Sequence, residues 1–134
     1  MSEELLADRI EAILRGQGFT VYREVPFWLR RIDIYAVQPG RQPIAIEVKL
    51  RDWRTALAQA MLYQRGVPHV YVAMPSGIAR RMEHRHFKNA SVGIMAVEDG
   101  IEKLLEPRKS VRYRTAYKNM LVLSADPGED KGER

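Results

Sequence analysis

Three side chains in this sequence have the types and the spacing to hold a divalent cation and activate a water molecule: Asp33, Glu47 and Lys49. Glu47 and Lys49 lie in the run Ile44-Ala45-Ile46-Glu47-Val48-Lys49-Leu50, which alternates strictly. Ile44, Ile46, Val48 and Leu50 point one way; Ala45, Glu47 and Lys49 point the other. Asp33 stands fourteen positions before Glu47, in Arg31-Ile32-Asp33-Ile34-Tyr35-Ala36-Val37, with Ile32 and Ile34 expected on the opposite face. Two strands would then bring two carboxylates and one ammonium to the edge of a sheet. Phosphodiester hydrolysis needs such a grouping, because a metal must offset phosphate charge and lower the pKa of an attacking water. Magnesium prefers hard oxygen ligands and takes few of them from protein. Asp33, Glu47 and the main-chain carbonyl of Val48 would supply three. Lys49 would orient or deprotonate the water, or stabilise the negative transition state. The plain alternative for Glu-x-Lys is an exposed ion pair on a strand. A lone Asp amid β-formers, disfavoured by propensity, argues for a site instead.

The flanking pattern supplies elements to position these groups. Residues 3 to about 15 read as a helix with Leu6, Ile10, Ile13 and Leu14 on one stripe, Ser2 as N-cap, and Gly16 and Gly18 as the stop. Residues 19–25 read as a strand ended by Pro26, and the strands around Asp33 and Glu47 follow across Gln38-Pro39-Gly40-Arg41, giving an antiparallel meander. Asp52 caps a helix from Trp53 to about Arg65, and residues 67–73 form a near-continuous apolar run expected of a buried strand. The intervening helix makes a βαβ crossover, right-handed by rule. A helix from Ile78 to Lys88 precedes a hairpin, residues 92–97 and 101–105, across Glu98-Asp99-Gly100. The expected fold is an α/β domain: an αβββαβ core on a mixed sheet flanked by helices, plus a C-terminal α-β-β extension.

At 134 residues, 46% of them hydrophobic, the chain suits one domain, expected over residues 1–125, with a basic final helix expected between Pro107 and about Ala125. Residues 126–134 are polar and charged and are expected to be a disordered tail. The net charge of +5 fits a polyanionic partner. Without cysteine there is no disulfide, thiolate metal site or cysteine nucleophile. No stretch is long and apolar enough to span a membrane, and the acidic start is unlike a basic leader, so a cytoplasmic location is expected. No glycine-rich phosphate loop, serine elbow or His-Glu-x-x-His motif occurs, which argues against ATPase, triad-hydrolase and zinc-protease chemistry.

With these residues and this order, the chain resembles the PD-(D/E)XK, or restriction-endonuclease-like, nuclease superfamily over about residues 3 to 97. Gly18-Phe19-Thr20-Val21 after the opening helix is similar to Holliday-junction-resolvase-like members, and Gln59-Ala60-Met61-Leu62-Tyr63 resembles the Gln-x-x-x-Tyr motif of RecB-like nuclease domains. Ile32 stands where the family name has proline. The resemblance implies an endodeoxyribonuclease dependent on Mg2+ (or Mn2+), with Asp33 and Glu47 as ligands and Lys49 catalytic. It also implies a helix-borne acid near the metal. Helical projection puts Glu4, Asp8 and Glu11 on the solvent side and Glu3 nearer the apolar stripe, so Glu3 is the candidate, a dipole-stabilising acid being the alternative.

Further candidates face nucleic acid. Gln59 and Tyr63 are four apart on one helical face, and would touch a nucleic-acid backbone or position Lys49 if they are not simply a half-buried pair. Arg51 and Arg54 flank the site and could reach phosphates. His69, His84 and His86 lack metal-site spacing and read as structural. DNA is the expected partner, and cutting two strands with one small site favours a homodimer. The competing reading is a nucleic-acid-binding module that keeps the fold without cleaving.

Overall fold

The computed structural model describes residues 1–114 together with Tyr117 and Leu121. Helix α1 (Glu3–Gly16) begins where the Ser2 hydroxyl accepts the Leu5 N–H at 3.0 Å, with Glu3 and Glu4 at its positive end. Gly18, at φ +94°, turns the chain into the sheet in a conformation that only glycine takes freely. Strands β1 (Thr20–Phe27), β2 (Arg30–Val37) and β3 (Ile44–Val48) form the antiparallel meander, and α2 (Trp53–Tyr63) crosses to β4 (His69–Pro75). Then come α3 (Ser76–Arg81), α4 (His84–Ala90), β5 (Gly93–Val97) and β6 (Ile101–Leu105). The six strands lie in sequence order in one sheet. β3, β4 and β5 are mutually parallel, and the remaining pairings are antiparallel. This is the αβββαβ core with helices on both faces.

Each face has its own core. On one, α1 buries Leu6, Ile10 and Leu14 against Ile34, Ile46, Val48 and Tyr71. On the other, Ala56, Ala60 and Tyr63 of α2, with Phe87 of α4, cover Ala45, Val70, Val72 and Ile94. The central strands are covered twice, which is why β4 reads as an unbroken apolar run.

Several expectations are revised by packing. Pro26 does not end β1 but lies within it, opposite Arg31, because β1 is an edge strand whose outer side needs no N–H. The helix expected over residues 78–88 is two short helices broken at Met82, whose backbone is extended. On one continuous helix Ile78 and Phe87 would sit on opposite sides, whereas the break packs both into the same core. Ile32 and Ile34 do not share a face: Ile32 packs on the α2 side and Ile34 on the α1 side. The division falls at Asp33, beside Glu24, whose φ of 54° interrupts the β1–β2 ladder.

Residues 107–114 are turn and irregular backbone, and the rest of the expected C-terminal helix lies largely outside the described residues. So do the boundary at residue 125 and the tail at 126–134. Among the described residues, no helix is long and apolar enough to cross a membrane.

Candidate active site

β2 and β3 pair only as far as Ile34 with Ile46; beyond that point they separate. Asp33 fills the fork. Its Oδ2 accepts the Val48 N–H at 2.8 Å, taking the place of the ladder hydrogen bond that β2 no longer makes. β3 meanwhile stays attached to β4, with the Lys49 N–H donating to the Ala73 carbonyl at 3.1 Å. The propensity penalty of Asp33 is thereby answered: a side chain able to cap a neighbouring strand is what the fork requires.

Glu47 comes from the other strand. Its residue is only 6% exposed, so the polar side of β3 is buried under α2 and is not a solvent face. Its Oε1 accepts from the Tyr63 hydroxyl at 2.8 Å. The carboxyls of Asp33 and Glu47 are in hydrogen-bonding contact with each other. The two acids therefore converge. Burial, then the charge of Asp33, pushes the Glu47 pKa up to about 8, against the opposing pull of Tyr63 and Lys49. Burial also raises Asp33, partly countered by the Val48 N–H. Lys49 follows at the end of β3, half-buried and close enough for its charge to be felt by Glu47.

In front of Asp33 lies a cleft of about 380 Å³ lined by Glu3, Glu4, Ala7, Arg23, Glu24, Asp33 and Val48. Four of these are acids, so the cleft carries a negative field that favours cations. Glu3 reaches it from the first turn of α1, its Oε2 accepting the Leu50 N–H at 3.3 Å, and its charge is felt by Asp33. Glu4 lines the same cleft. Glu11 is half-buried rather than solvated, because Arg15 and Arg23 pair with it at 2.8 and 2.9 Å. Arg23 also binds Asp8 at 2.8 Å, tying α1 to β1 beside the cleft. Among the described residues, Arg23 Nε is the buried side-chain polar atom left without a partner.

Among the described residues, no group of three or more His, Asp or Glu side chains is disposed to hold a metal ion. The pair at the fork nevertheless fits a hard divalent cation of low protein-ligand demand. Protein donors hold Asp33 Oδ2 and Glu47 Oε1, and a cation would take the place of the contact that the two carboxyls make with each other. Burial and the charges of Glu24 and Glu3 drive Asp33 up in pKa, burial and the charge of Asp33 drive Glu47 up, and positive charge would relieve both.

Other expected site residues fall differently. Tyr63 is buried, and its hydroxyl lies 2.8 Å from both Glu47 Oε1 and the Arg31 carbonyl. It sits behind Glu47, with its hydroxyl turned to that carboxyl. Gln59 is half-buried one turn earlier. Arg51 and Arg54 are exposed beyond β3, and the Arg54 guanidinium lies 4.4 Å over the Trp53 ring. Sequence reasoning missed Glu24, whose charge bears on Asp33. It also missed the bond from Tyr63 to Glu47, which the sixteen-residue separation hides.

Tyr63→Phe is expected to destabilise the fold by about 1–3 kcal/mol, since it leaves a buried carboxyl and a carbonyl short of a donor. It should also raise the Glu47 pKa further, because the Tyr63 hydrogen bond lowers it. Urea denaturation of the metal-free protein at two pH values measures both; equal stability of mutant and wild type at both would contradict this role.

No protein-family model and no curated protein matches the chain. Solved structures do. A protein of unknown function from Silicibacter pomeroyi matches with a TM-score of 0.63 at 19% identity, over 84% of this chain and 76% of that one. A repair endonuclease from Pyrococcus abyssi matches with a TM-score of 0.56 at 20% identity, over 74% of this chain and 48% of that one. The chain thus spans about half of that endonuclease. At such identities the likeness is one of fold: this α/β chain shares its architecture with a repair endonuclease.

Proposed function

We propose that this protein is a metal-dependent nuclease that hydrolyses phosphodiester bonds in DNA, as an endonuclease or junction-resolvase-like enzyme. The observation that carries the reading is the meeting of the Asp33 and Glu47 carboxyls at the β2–β3 fork, with Lys49 at the end of the same strand. Asp33, Glu47 and the Val48 carbonyl would hold Mg2+ (or Mn2+), with Glu3 nearby on the cleft wall. Bound there, the ion would supply the positive charge that offsets phosphate and acidifies a water. The chain's own groups do the rest. Tyr63 and the Val48 N–H fix the two carboxyls so that they need not reorganise. The Lys49 ammonium donates to the water or to a non-bridging phosphate oxygen. Arg51 and Arg54 receive neighbouring phosphates. Two copies would place two sites on two strands.

A second reading, a DNA-binding module that does not cleave, is favoured by one observation: no third acidic side chain among the described residues completes a metal-ligand group. Incubation with branched, single-stranded and duplex DNA separates the two. Cleavage is expected with Mg2+ and not with EDTA, and Asp33→Asn should bind DNA yet fail to cut. Tight binding without cleavage of any substrate in Mg2+ or Mn2+ would select the binding module.

A further inference from the structure

The β1–β2 hairpin ends in a turn that the fork does not explain. Trp28 and Leu29 are the two residues between the strands, with Phe27 paired to Arg30. Two-residue hairpin turns want a positive φ at the first of these positions, which glycine supplies without strain. Here Trp28 takes it, at φ 62°. Left-handed backbone is strained for a residue with a Cβ. The indole is held in place: it stacks on Tyr117 at 5.2 Å, meets Phe27 edge-on at 6.2 Å, and has the Arg65 guanidinium 5.7 Å from its centroid. A strained but braced turn projects Leu29 into solvent at 94% exposure, the highest of the large hydrophobics among the described residues.

The charge around the tip differs from that of the cleft. Among the described residues, the groove beside Leu29 is lined by Phe27, Trp28, Leu29, Arg30, Leu62 and Arg65, with two guanidiniums and no acid. Arg31, the next residue of β2, is also exposed. At about 3.3 Å per residue, Leu29 lies about 13 Å along β2 from Asp33. A nucleic acid with a phosphate at the fork would need to extend only that far along the sheet to meet the tip. A self-complementary contact with a second copy would instead set Arg30 and Arg65 against their own symmetry mates. The basic rim therefore favours a polyanion.

We propose that Leu29 is a wedge: it enters the base stack of DNA where that stack is already interrupted, while Arg30 and Arg65 hold the flanking phosphates. Aliphatic side chains serve this purpose elsewhere, and unstacking is least costly at a branch or mismatch. The proposal rests on the nuclease reading and names its substrate class, DNA with a discontinuity such as a branch, nick or mismatch.

The test uses the full chain in EDTA, with branched DNA and continuous duplex carrying 2-aminopurine, and follows binding by anisotropy. Wild type is expected to raise 2-aminopurine fluorescence about threefold on branched DNA. Leu29→Ala should bind yet lose that rise, and lose about tenfold of the preference for branched over continuous DNA. Leu29→Phe should restore both. An undiminished rise with Leu29→Ala overturns the wedge, as does bound wild type that unstacks nothing while still cleaving in Mg2+. A dimer that Leu29→Ala converts to monomer, with no unstacking by wild type, assigns the tip to a second copy. Unstacking without cleavage in Mg2+ keeps the wedge and removes the nuclease. Absence of any DNA binding removes both.

Discussion

Lys49→Ala is expected to lower the rate of Mg2+-dependent DNA cleavage by about 10²–10⁴-fold, the range that a positioned proton-transfer or charge-stabilising group contributes. Lys49 stands at the end of β3, one residue past Val48 and two past Glu47, where the strand leaves β2 but keeps its bond to Ala73. Its backbone is thus fixed while its side chain is half-buried at the mouth of the fork. Loss of the ammonium should leave DNA affinity within a few-fold of wild type, since under the proposed function most binding would come from arginines facing phosphates elsewhere. Single-turnover rates with saturating protein separate the two effects. Lys49→Arg keeps the charge but not a compact, deprotonatable amine, so it should recover little if Lys49 moves a proton, and much if it serves only as charge. Rates unchanged in Lys49→Ala would remove this residue from the mechanism.

The second large effect is on stability. The Glu47 pKa rises from 4.5 to about 8 in the folded protein, first by burial and then by the charge of Asp33. A carboxyl raised in this way contributes stability that is fully present below its unfolded pKa and is lost as pH rises through its folded one. The metal-free protein should therefore weaken progressively between about pH 4.5 and pH 8. Glu47→Gln removes the charge and keeps the shape, so it should flatten that slope. At pH 8 the variant should melt higher than metal-free wild type by on the order of 5 °C. Asp33, raised in the same direction, contributes the same sign. Divalent cation should reverse the ranking, stabilising wild type at pH 8 and leaving Glu47→Gln nearly unmoved, because only the native pair can ionise to receive it. Calorimetry with and without Mg2+ at pH 5 and pH 8 reads all four states. Parallel pH profiles for the two proteins would show that Glu47 is not the group responsible.

Both expectations depend on a geometry only partly legible in the chain. Ser2, Asp52 and the stripe Leu6, Ile10 and Leu14 announce α1 and α2, because caps and helical periodicity are local. The alternation of residues 44–50 announces β3 for the same reason. Pro26 misleads, since whether a proline ends a strand depends on which edge of the sheet it occupies, a non-local matter. The break at Met82 misleads likewise: no glycine or proline marks it, and the need to bury both Ile78 and Phe87 makes it. Glu47 is legible as a carboxylate on the strand face opposite Ile46 and Val48, but alternation says nothing of how deeply that face lies. The face is covered by α2, and that burial, not the residue type, moves its titration.

By itself, then, the order of residues determined which groups were chemically able to act: two acids and an amine on successive β-segments, with caps and turns setting where those segments begin. Those are consequences of side-chain type and short-range spacing. The tertiary structure alone decided that β2 and β3 part after Ile34, that Asp33 closes the gap on the Val48 N–H, and that Tyr63 reaches Glu47 from a helix sixteen residues away. Strand separation and helix coverage are set by how two cores pack against one sheet. No local pattern encodes the depth at which a carboxyl comes to lie.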